Sequence, residues 1–236
     1  MSPRLVLSCE HATWAVPPHV DLGLVPEQLL EHHAWDSGAL ELAQALSLGT
    51  GVPVFAGQVT RLVVDLNRHE GGAEVVPTVA FGLDVPGNVG LTPEERERRL
   101  ATYHRPHRRA VQSAAEQVLA GGPCLHLSLH SFVPVLHGVR RDVEVGVLFD
   151  PARAFEASCA EALLQALETR GWDARANQPY LGTDDGITTW LRGELDDPRY
   201  AGIEIEASQA LLHAGRLPSL AADLLRAVEE LLAELG

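Results

Sequence analysis

Apolar residues follow two patterns along this chain of 236 residues. Short runs rich in Val, Leu and Ile are typical of buried strands, whereas longer segments with apolar positions three or four apart are typical of helices. The short runs predict strands at residues 4–9, 52–56, 62–66, 124–129, 143–149 and 203–207. The longer segments predict helices at residues 26–48, 92–120, 152–170 and 217–235. Strands that alternate with helices indicate an α/β sandwich around a largely parallel sheet, and we expect a single domain over residues 1–236.

Several residues mark where the predicted helices begin, break and end. Thr92, followed by a proline and two glutamates, is a helix start, and we expect Pro106 to kink or divide the helix that follows. The first helical segment contains a break near Gly38, so it predicts one helix or two, and Gly171 is suited to end the third. Residues 71–90 predict a long loop, which is either a lid over a site or a surface loop.

The charge of the chain excludes several functions. Its 18 basic residues are all arginine and are outnumbered by 32 acidic residues, which gives a net charge of −14 with histidine neutral. The absence of lysine excludes a Schiff-base lysine, a Ser–Lys pair and the lysine of a phosphate-binding P-loop. The negative charge argues against nucleic acid as a partner, because binding to a phosphate backbone depends on clustered cations.

We expect neither a membrane span nor a secretion signal. No apolar run reaches the roughly 18 residues of a membrane helix, and the first residues lack the basic region and long apolar stretch of a signal peptide. The three cysteines, Cys9, Cys124 and Cys159, match no zinc-ribbon or CxxC spacing. An odd cysteine count without a signal peptide predicts a cytoplasmic location, and we expect Cys124 and Cys159 to be small core residues.

Polar residues stand at the ends of the predicted strands. His11 follows the first strand and His130 follows the fourth, while Glu204 and Glu206 lie within the last. A lone residue of this kind is usually structural, but buried polar groups are costly unless they are paired or coordinated. Their joint appearance therefore indicates a site at the strand ends, where α/β sheets bind their ligands. The other polar residues of this set flank the third predicted strand: Arg61, Asn67 and Arg68.

A catalytic zinc site is the first chemistry that these residues suggest. His11, His130 and one carboxylate would supply three ligands and leave a fourth position open for water. Asp36 is the preferred carboxylate because it lies in the polar break of the first helical segment, although it equally suits the N-cap of a helix beginning at residue 37. Glu10 is the alternative ligand. We therefore expect one Zn²⁺ ion as cofactor.

A proton-transfer group is the second chemistry that these residues suggest. Glu204 and Glu206 are two residues apart, so their side chains face the same side of a strand. One is a candidate general base that also donates a proton to a leaving amine, and the other is a partner of it. The alternative is an acidic stripe that faces solvent on an edge strand.

An anion-binding cluster is the third feature that these residues suggest. Arg61, Asn67 and Arg68 suit an anionic substrate, because guanidinium groups match the geometry of carboxylates and an amide can complete the shell. Asp65 is placed to orient one of the guanidinium groups. The alternative is a cluster of surface ion pairs, which would contribute little to stability.

Taken in this order, the residues resemble the N-formylglutamate amidohydrolase family. The resembling segments run from the first strand to beyond residue 210 and are LSCEHATWAVP, HHAWDSGAL, TRLVVDLNR, LSLHSFVP, EVGVLFD, NQPYLG and GIEIEASQALL. RLVVDLNR and LHSFVP are the most specific. The resemblance implies the fold of zinc carboxypeptidases and related deacylases, which is a three-layer α/β/α sandwich around a mixed sheet.

The resemblance also implies roles for individual residues. The wider zinc-carboxypeptidase pattern has a glutamate ligand three residues after its first histidine, but Trp14 stands at that position here, which again points to Asp36. The resemblance assigns the metal to His11, Asp36 and His130, and catalysis to Glu204 before Glu206. It assigns substrate binding to four residues: Arg61, Asn67, Arg68 and Tyr180.

These roles predict a zinc-dependent amidohydrolase that removes a short acyl group, expected to be formyl, from an acidic amino acid such as N-formyl-L-glutamate. The expected partner is therefore a small anionic N-acyl amino acid, with no nucleic acid and no membrane; the oligomeric state stays open. Three alternatives remain: a peptidase or amidase acting on a larger γ-glutamyl or acyl-amino-acid substrate, a cysteine hydrolase using Cys9 with His11, and a non-catalytic binding protein that kept the scaffold.

Overall fold

The strands of this protein form one central sheet and two small hairpins. The computed structural model describes residues 4–235. In chain order the strands are β1 (Leu5–Cys9), β2 (Val54–Ala56), β3 (Val79–Ala80), β4 (Leu83–Asp84), β5 (Cys124–Phe132), β6 (Val135–Leu136), β7 (Val139–Arg140), β8 (Val145–Leu148), β9 (Ala174–Ala176) and β10 (Tyr200–Ser208). The pairs β3–β4 and β6–β7 are the hairpins.

Helices cover both faces of the sheet. They are α1 (Pro26–Leu29), α2 (Ala39–Thr50), α3 (Pro93–Arg99), α4 (Arg105–Leu119), α5 (Ala154–Thr169), α6 (Ile187–Leu195), α7 (Gln209–His213) and α8 (Leu217–Leu235). In β1, Leu7 packs into a cluster with α2, α5 and α8, while its neighbour Val6 packs with α4 and α6. This alternation follows from the two-residue period of a strand and gives three layers.

The sheet is mixed, with the order β2-β1-β5-β10-β8-β9. The first four strands are parallel to one another, and β8 runs antiparallel to β10. The α/β class and the mostly parallel sheet predicted from the sequence are therefore confirmed. Parallel pairing brings the carboxyl ends of β1, β5 and β10 to one edge, which is where the polar residues of the sequence lie.

The helix boundaries also agree with their sequence signals. The side chain of Thr92 accepts a hydrogen bond from the Glu95 backbone N–H at 3.2 Å and so caps α3. Between α3 and α4 the backbone widens into a π-helical turn over Leu100–His104. Pro106 follows this turn and has no N–H to donate, which explains why the predicted helix is divided here. Gly171 ends α5 with a φ of 87°.

The strand predicted at residues 62–66 is wrong. These residues form turns and irregular backbone. The N–H of Val63 donates to the Thr60 carbonyl within a turn, and the N–H of Asp65 donates to the carbonyl of Val75 in a neighbouring segment. The segment is apolar because Leu62 and Val64 fill a second core among loops, and not because it joins the sheet. An apolar run of five residues cannot by itself distinguish these two ways of being buried.

The loop predicted at residues 71–90 contains the hairpin β3–β4. Its tip places Phe81 at a φ of 48° and Gly82 at 86°, as a tight two-residue turn requires. The three cysteines are buried, and Cys124 and Cys159 lie in the core as expected. Among residues 4–235, no helix combines the length and the apolar character needed to span a bilayer.

Candidate active site

Two histidines and an aspartate meet at the carboxyl edge of the sheet. His11 follows β1, His130 lies near the end of β5, and Asp36 lies in the turn before α2. Asp36 Oδ2 is 3.3 Å from Nδ1 of His11 and 3.0 Å from Nδ1 of His130. Zinc bonds of about 2.0–2.1 Å to these atoms place tetrahedral ligands at similar separations. All three residues are buried, and their donor atoms fit a zinc ion in both type and spacing.

The outer nitrogen of each histidine is also bound. His11 Nε2 lies 2.7 Å from Oδ1 of Asp65, and His130 Nε2 lies 2.9 Å from the hydroxyl of Ser128 and 3.3 Å from Oε2 of Glu10. Such contacts fix the ring orientation and leave Nδ1 for a metal. The sequence had suggested that Asp65 orients a guanidinium group. In the structure it instead contacts His11.

Glu10, the alternative ligand, lies behind His130 instead of beside the other donors. Its second oxygen, Oε1, is 3.1 Å from Nε2 of His107. Burial raises the pKa of Glu10, but hydrogen bonds with His107 and His130 lower it well below its usual range. Within residues 4–235, the set of side chains that converges for a metal contains Asp36 and not Glu10. The geometry therefore favours Asp36 as the carboxylate ligand.

The charge of Asp36 is held by its neighbours. Burial by itself raises the pKa of this carboxyl, but the Arg61 guanidinium and the two histidines lower the pKa well below its usual range. Arg61 Nη2 donates to Oδ1 of Asp36, so this arginine is tied to a proposed ligand. Its guanidinium also lies 5.7 Å from the ring centroid of Phe81. Arg61 is thus held by protein groups on two sides.

Asn67 and Arg68 are likewise engaged by the protein. The Asn67 N–H donates to Oδ1 of Asp65 at 2.9 Å, and its side-chain oxygen accepts from the N–H of Ile187 at 2.7 Å. Arg68 Nη1 donates to the Asp185 carbonyl at 2.7 Å. Both residues therefore join neighbouring segments of the site in addition to facing its cavity.

Glu204 and Glu206 face the same cavity from β10 but differ in their surroundings. Glu204 Oε1 accepts a hydrogen bond from the Thr188 hydroxyl at 2.8 Å. Glu206 stands opposite His130 in the strand pairing, and its buried Oε2 has no hydrogen-bond partner in the described chain. Burial raises the pKa of Glu206 to about 8. Near neutral pH the carboxyl of Glu206 is therefore mostly protonated.

A cavity of about 130 Å³ unites the predicted site residues. Its wall contains all nine of them: His11, Asp36, Arg61, Asn67, Arg68, His130, Tyr180, Glu204 and Glu206. It also contains six residues to which sequence reasoning gave no role: His32, Phe81, Ser131, Leu181, Asp184 and Asp185. Three of these could have been found from the sequence. The pair His32-His33 lies within a segment that carries the family resemblance, and Asp184-Asp185 lies just after another.

Arg141 is a further residue that the sequence did not reveal. Its Nη1 donates to the Tyr180 hydroxyl at 2.9 Å, and its guanidinium lies 4.9 Å from the centroid of the Tyr180 ring. These contacts fix Tyr180 at the cavity wall. A single arginine beside the small hairpin β6–β7 gives no sequence signal for this contact.

Cys9 is unsuited to the cysteine-hydrolase alternative. Its side chain is fully buried in the core formed with α2 and α5. Burial raises the pKa of this thiol well above its ordinary value, so it stays protonated and is a weak nucleophile.

Comparison with known proteins supports the resemblance. The family model for N-formylglutamate amidohydrolase matches residues 3–213. A gene product of Agrobacterium tumefaciens has a similar structure, with 32% identity, a TM-score of 0.86, and coverage of 99% of this chain and 92% of that one. An N-formylglutamate amidohydrolase from Ralstonia eutropha shares the fold at 20% identity and a TM-score of 0.76, covering 99% of this chain and 94% of its own. A search of curated proteins gave no match.

Proposed function

The chain belongs to the N-formylglutamate amidohydrolase family, and from this we propose that it is a zinc-dependent hydrolase of short N-acyl amino acids, with N-formyl-L-glutamate as its candidate substrate. One observation carries the proposal. The donor atoms of His11, Asp36 and His130 converge in the same small cavity that Glu204 and two arginines face. A metal, a base and cations in one cavity can together activate water and stabilise the negative charge that develops during amide hydrolysis.

His11 and His130 would hold the ion through Nδ1, and Asp36 through Oδ2. When bound, zinc supplies Lewis acidity toward the acyl oxygen and makes a water molecule a stronger acid. Asp65 and the Ser128–Glu10 pair hold the two imidazoles with their Nδ1 atoms toward this point. The histidines are thereby oriented before any ligand arrives.

Glu204 is the proposed general base. With one oxygen held by Thr188, its carboxylate accepts a proton from the attacking water, whose oxygen bonds to the acyl carbon. The carbon–nitrogen bond then breaks, and Glu204 returns the proton to the leaving nitrogen. The products are formate and the free amino acid. Glu206, whose pKa is about 8, is protonated for much of the neutral range and is the weaker candidate for this role.

Arg61, Asn67, Arg68 and Tyr180 are the proposed substrate-binding residues. Guanidinium groups pair with carboxylates and stabilise negative charge that develops on the acyl oxygen. Because Arg61 already pairs with Asp36, it is the arginine placed nearest to the proposed metal. Arg68 lies on the side of the cavity formed by the Asp185 loop and is the better-placed partner for a substrate carboxylate.

The size of the cavity favours a small substrate over a larger γ-glutamyl or peptide substrate. Sites for drug-sized ligands span roughly 300–1,000 Å³, whereas this cavity measures about 130 Å³. The donor set favours catalysis over simple metal storage. Within residues 4–235 it contains three converging side chains, which leaves a coordination position open.

A panel of substrates tests this proposal. Purified protein would be incubated with N-formyl-L-glutamate, N-acetyl-L-glutamate and a γ-glutamyl dipeptide, and the released acid and amino acid would be quantified. We expect release of formate from the formyl compound, slower release of acetate, and no cleavage of the dipeptide. Preferred cleavage of the dipeptide would instead establish the larger-substrate alternative. Binding of all three compounds without release would establish a binding protein.

A further inference from the structure

The amino-terminal turn of α6 lies directly against Glu204. The buried hydroxyl of Thr188, the second residue of this helix, donates to Oε1 of Glu204 at 2.8 Å. A glutamate side chain has three rotatable bonds, so one such contact greatly restricts where its carboxylate lies. The partial positive charge at the start of a helix also favours an anion at this place.

Gly186, which precedes α6, allows this close approach. A Cβ atom built at this position would lie 2.7 Å from Oε1 of Glu204 and 3.3 Å from the side-chain oxygen of Asn67. Real Cβ atoms are essentially never found as close as the first of these distances, so a side chain at this position would displace the Glu204 carboxylate. The backbone of Gly186 is extended, with a φ of −165°, so the requirement here is for space and not for an unusual conformation.

The same helix turn is joined to the proposed metal ligands. Oδ1 of Asp65 lies 2.7 Å from Nε2 of His11 and accepts the N–H of Asn67 at 2.9 Å. Asn67 in turn accepts the N–H of Ile187, the first residue of α6. A chain of hydrogen bonds therefore runs from His11 through Asp65 and Asn67 to the helix that holds Glu204.

We propose that Thr188 is a positioning residue for Glu204, and that Gly186 makes this position accessible. Thr188 sets the direction of the carboxylate, while the Asp65–Asn67 link sets the distance of the helix turn from His11. A displacement of about 1 Å in a reacting group lowers a rate by about 100-fold. The inference rests on the proposed function, in which Glu204 is the general base.

Substitution of Thr188 tests the inference. Thr188→Val keeps the shape of the side chain and removes the hydroxyl, so we expect kcat for formate release to fall by about 10- to 100-fold with KM changed less than about twofold. Thr188→Ser keeps the hydroxyl and should restore kcat to within about threefold of the wild type. Gly186→Ala should also lower kcat. Zinc content and Tm would be measured for every variant.

The neighbouring Thr189 provides the matched control. Its hydroxyl donates to the Asp184 carbonyl at 2.7 Å and does not contact Glu204. Thr189→Val therefore removes a hydroxyl from the same helix turn and should leave kcat near the wild-type value. Equal losses in both valine variants, with KM rising, would show general loosening of the helix and overturn the inference.

Glu204→Gln separates failure of the inference from failure of the proposed function. If Glu204→Gln abolishes turnover while Thr188→Val matches the wild type, the positioning role is wrong and the base assignment stands. If Glu204→Gln retains turnover, the base assignment is wrong and the positioning role falls with it.

Discussion

At the scale of single residues, three buried carboxyl groups of the candidate site differ in the partners that shift their pKa: Asp36, Asp65 and Glu206. Asp36 faces Arg61, and Asp65 faces His11. Burial raises the pKa of Asp65, but the charge of His11 and its hydrogen bond lower it far below its usual value. Glu206 is the exception. Burial raises its pKa, and its Oε2 has no hydrogen-bonding partner in the described chain. The site therefore keeps Asp36 and Asp65 ionised and the neighbouring carboxyl of Glu206 protonated near neutral pH.

The difference between the two glutamates gives a prediction at this scale. Glu204→Gln should retain zinc and lose at least about 100-fold in kcat, because an amide cannot accept the proton that general-base catalysis requires. Glu206→Gln should lose much less, because a protonated carboxyl and an amide are similar in shape and charge. Steady-state formate release with zinc quantified in both variants checks this. The reverse order of losses would make Glu206 the base.

Part of the candidate site was predictable because His11 and His130 lie at the ends of strands and Glu204 and Glu206 lie within one, where a sequence pattern locates them well. All nine predicted residues line one cavity, and their individual roles stay predictions. The contacts between them were not predictable. Pairing of Asp65 with His11 depends on turns between residues 60 and 68, and no periodicity in the sequence describes such turns.

At the scale of elements, the helices hold the loops that carry the site. Arg99, at the end of α3, donates to the Val63 carbonyl and to the side chain of Asn88. Arg108 of α4 donates to the carbonyls of Leu66 and Arg68. These bonds satisfy buried carbonyls in a segment that has no strand partner. The turns at residues 60–68 are thus fixed from behind by two helices.

The capping of α3 gives a prediction at this scale. Thr92→Ala removes the acceptor for the Glu95 N–H and should lower the free energy of unfolding by about 1 kcal/mol. Thr92→Ser should retain most of that stability. Urea denaturation of the three proteins measures the differences, and kcat should be unchanged because the cap lies outside the cavity wall. If Thr92→Ala unfolds at the same urea concentration as the wild type, the cap does not stabilise the protein.

Elements with a clear apolar period were predicted correctly, and those fixed by tertiary contacts were not. The sequence of α6 begins Ile187-Thr188-Thr189 and contains Gly193, all of which are weak helix formers. The helix exists because Asn67 binds its first N–H and Arg192 pairs with the buried Glu156. Both contacts join residues far apart in the chain, so local propensity could not reveal them.

At the scale of the whole molecule, a buried polar contact ties three central strands together behind the site. His126 of β5 lies 2.8 Å from the Ser8 hydroxyl of β1 and 2.7 Å from the Tyr200 hydroxyl of β10. Burial lowers the pKa of His126 from 6.5 to about 4. The folded protein therefore keeps this imidazole neutral under conditions in which the unfolded chain protonates it.

Stability should consequently depend on pH through His126. The unfolded chain binds a proton below pH 6.5, whereas the folded protein does so only near pH 4, so acidification between these values favours unfolding. The full effect of this difference is on the order of 3 kcal/mol. Urea unfolding at several pH values should give a steeper decline for the wild type than for His126→Gln. If the free energy of unfolding declines equally in both proteins, His126 has the same pKa in the folded and unfolded states.

The proposed zinc-dependent deformylase activity depends on the convergence of His11, Asp36 and His130. The most direct measurement is formate release from N-formyl-L-glutamate by untreated, chelator-treated and zinc-restored protein, with bound metal quantified in each sample. We predict that release disappears with the metal and returns when one zinc ion per chain is restored, and that Asp36→Asn binds zinc more weakly. Undiminished formate release from metal-free protein would show that these three residues do not hold a catalytic metal.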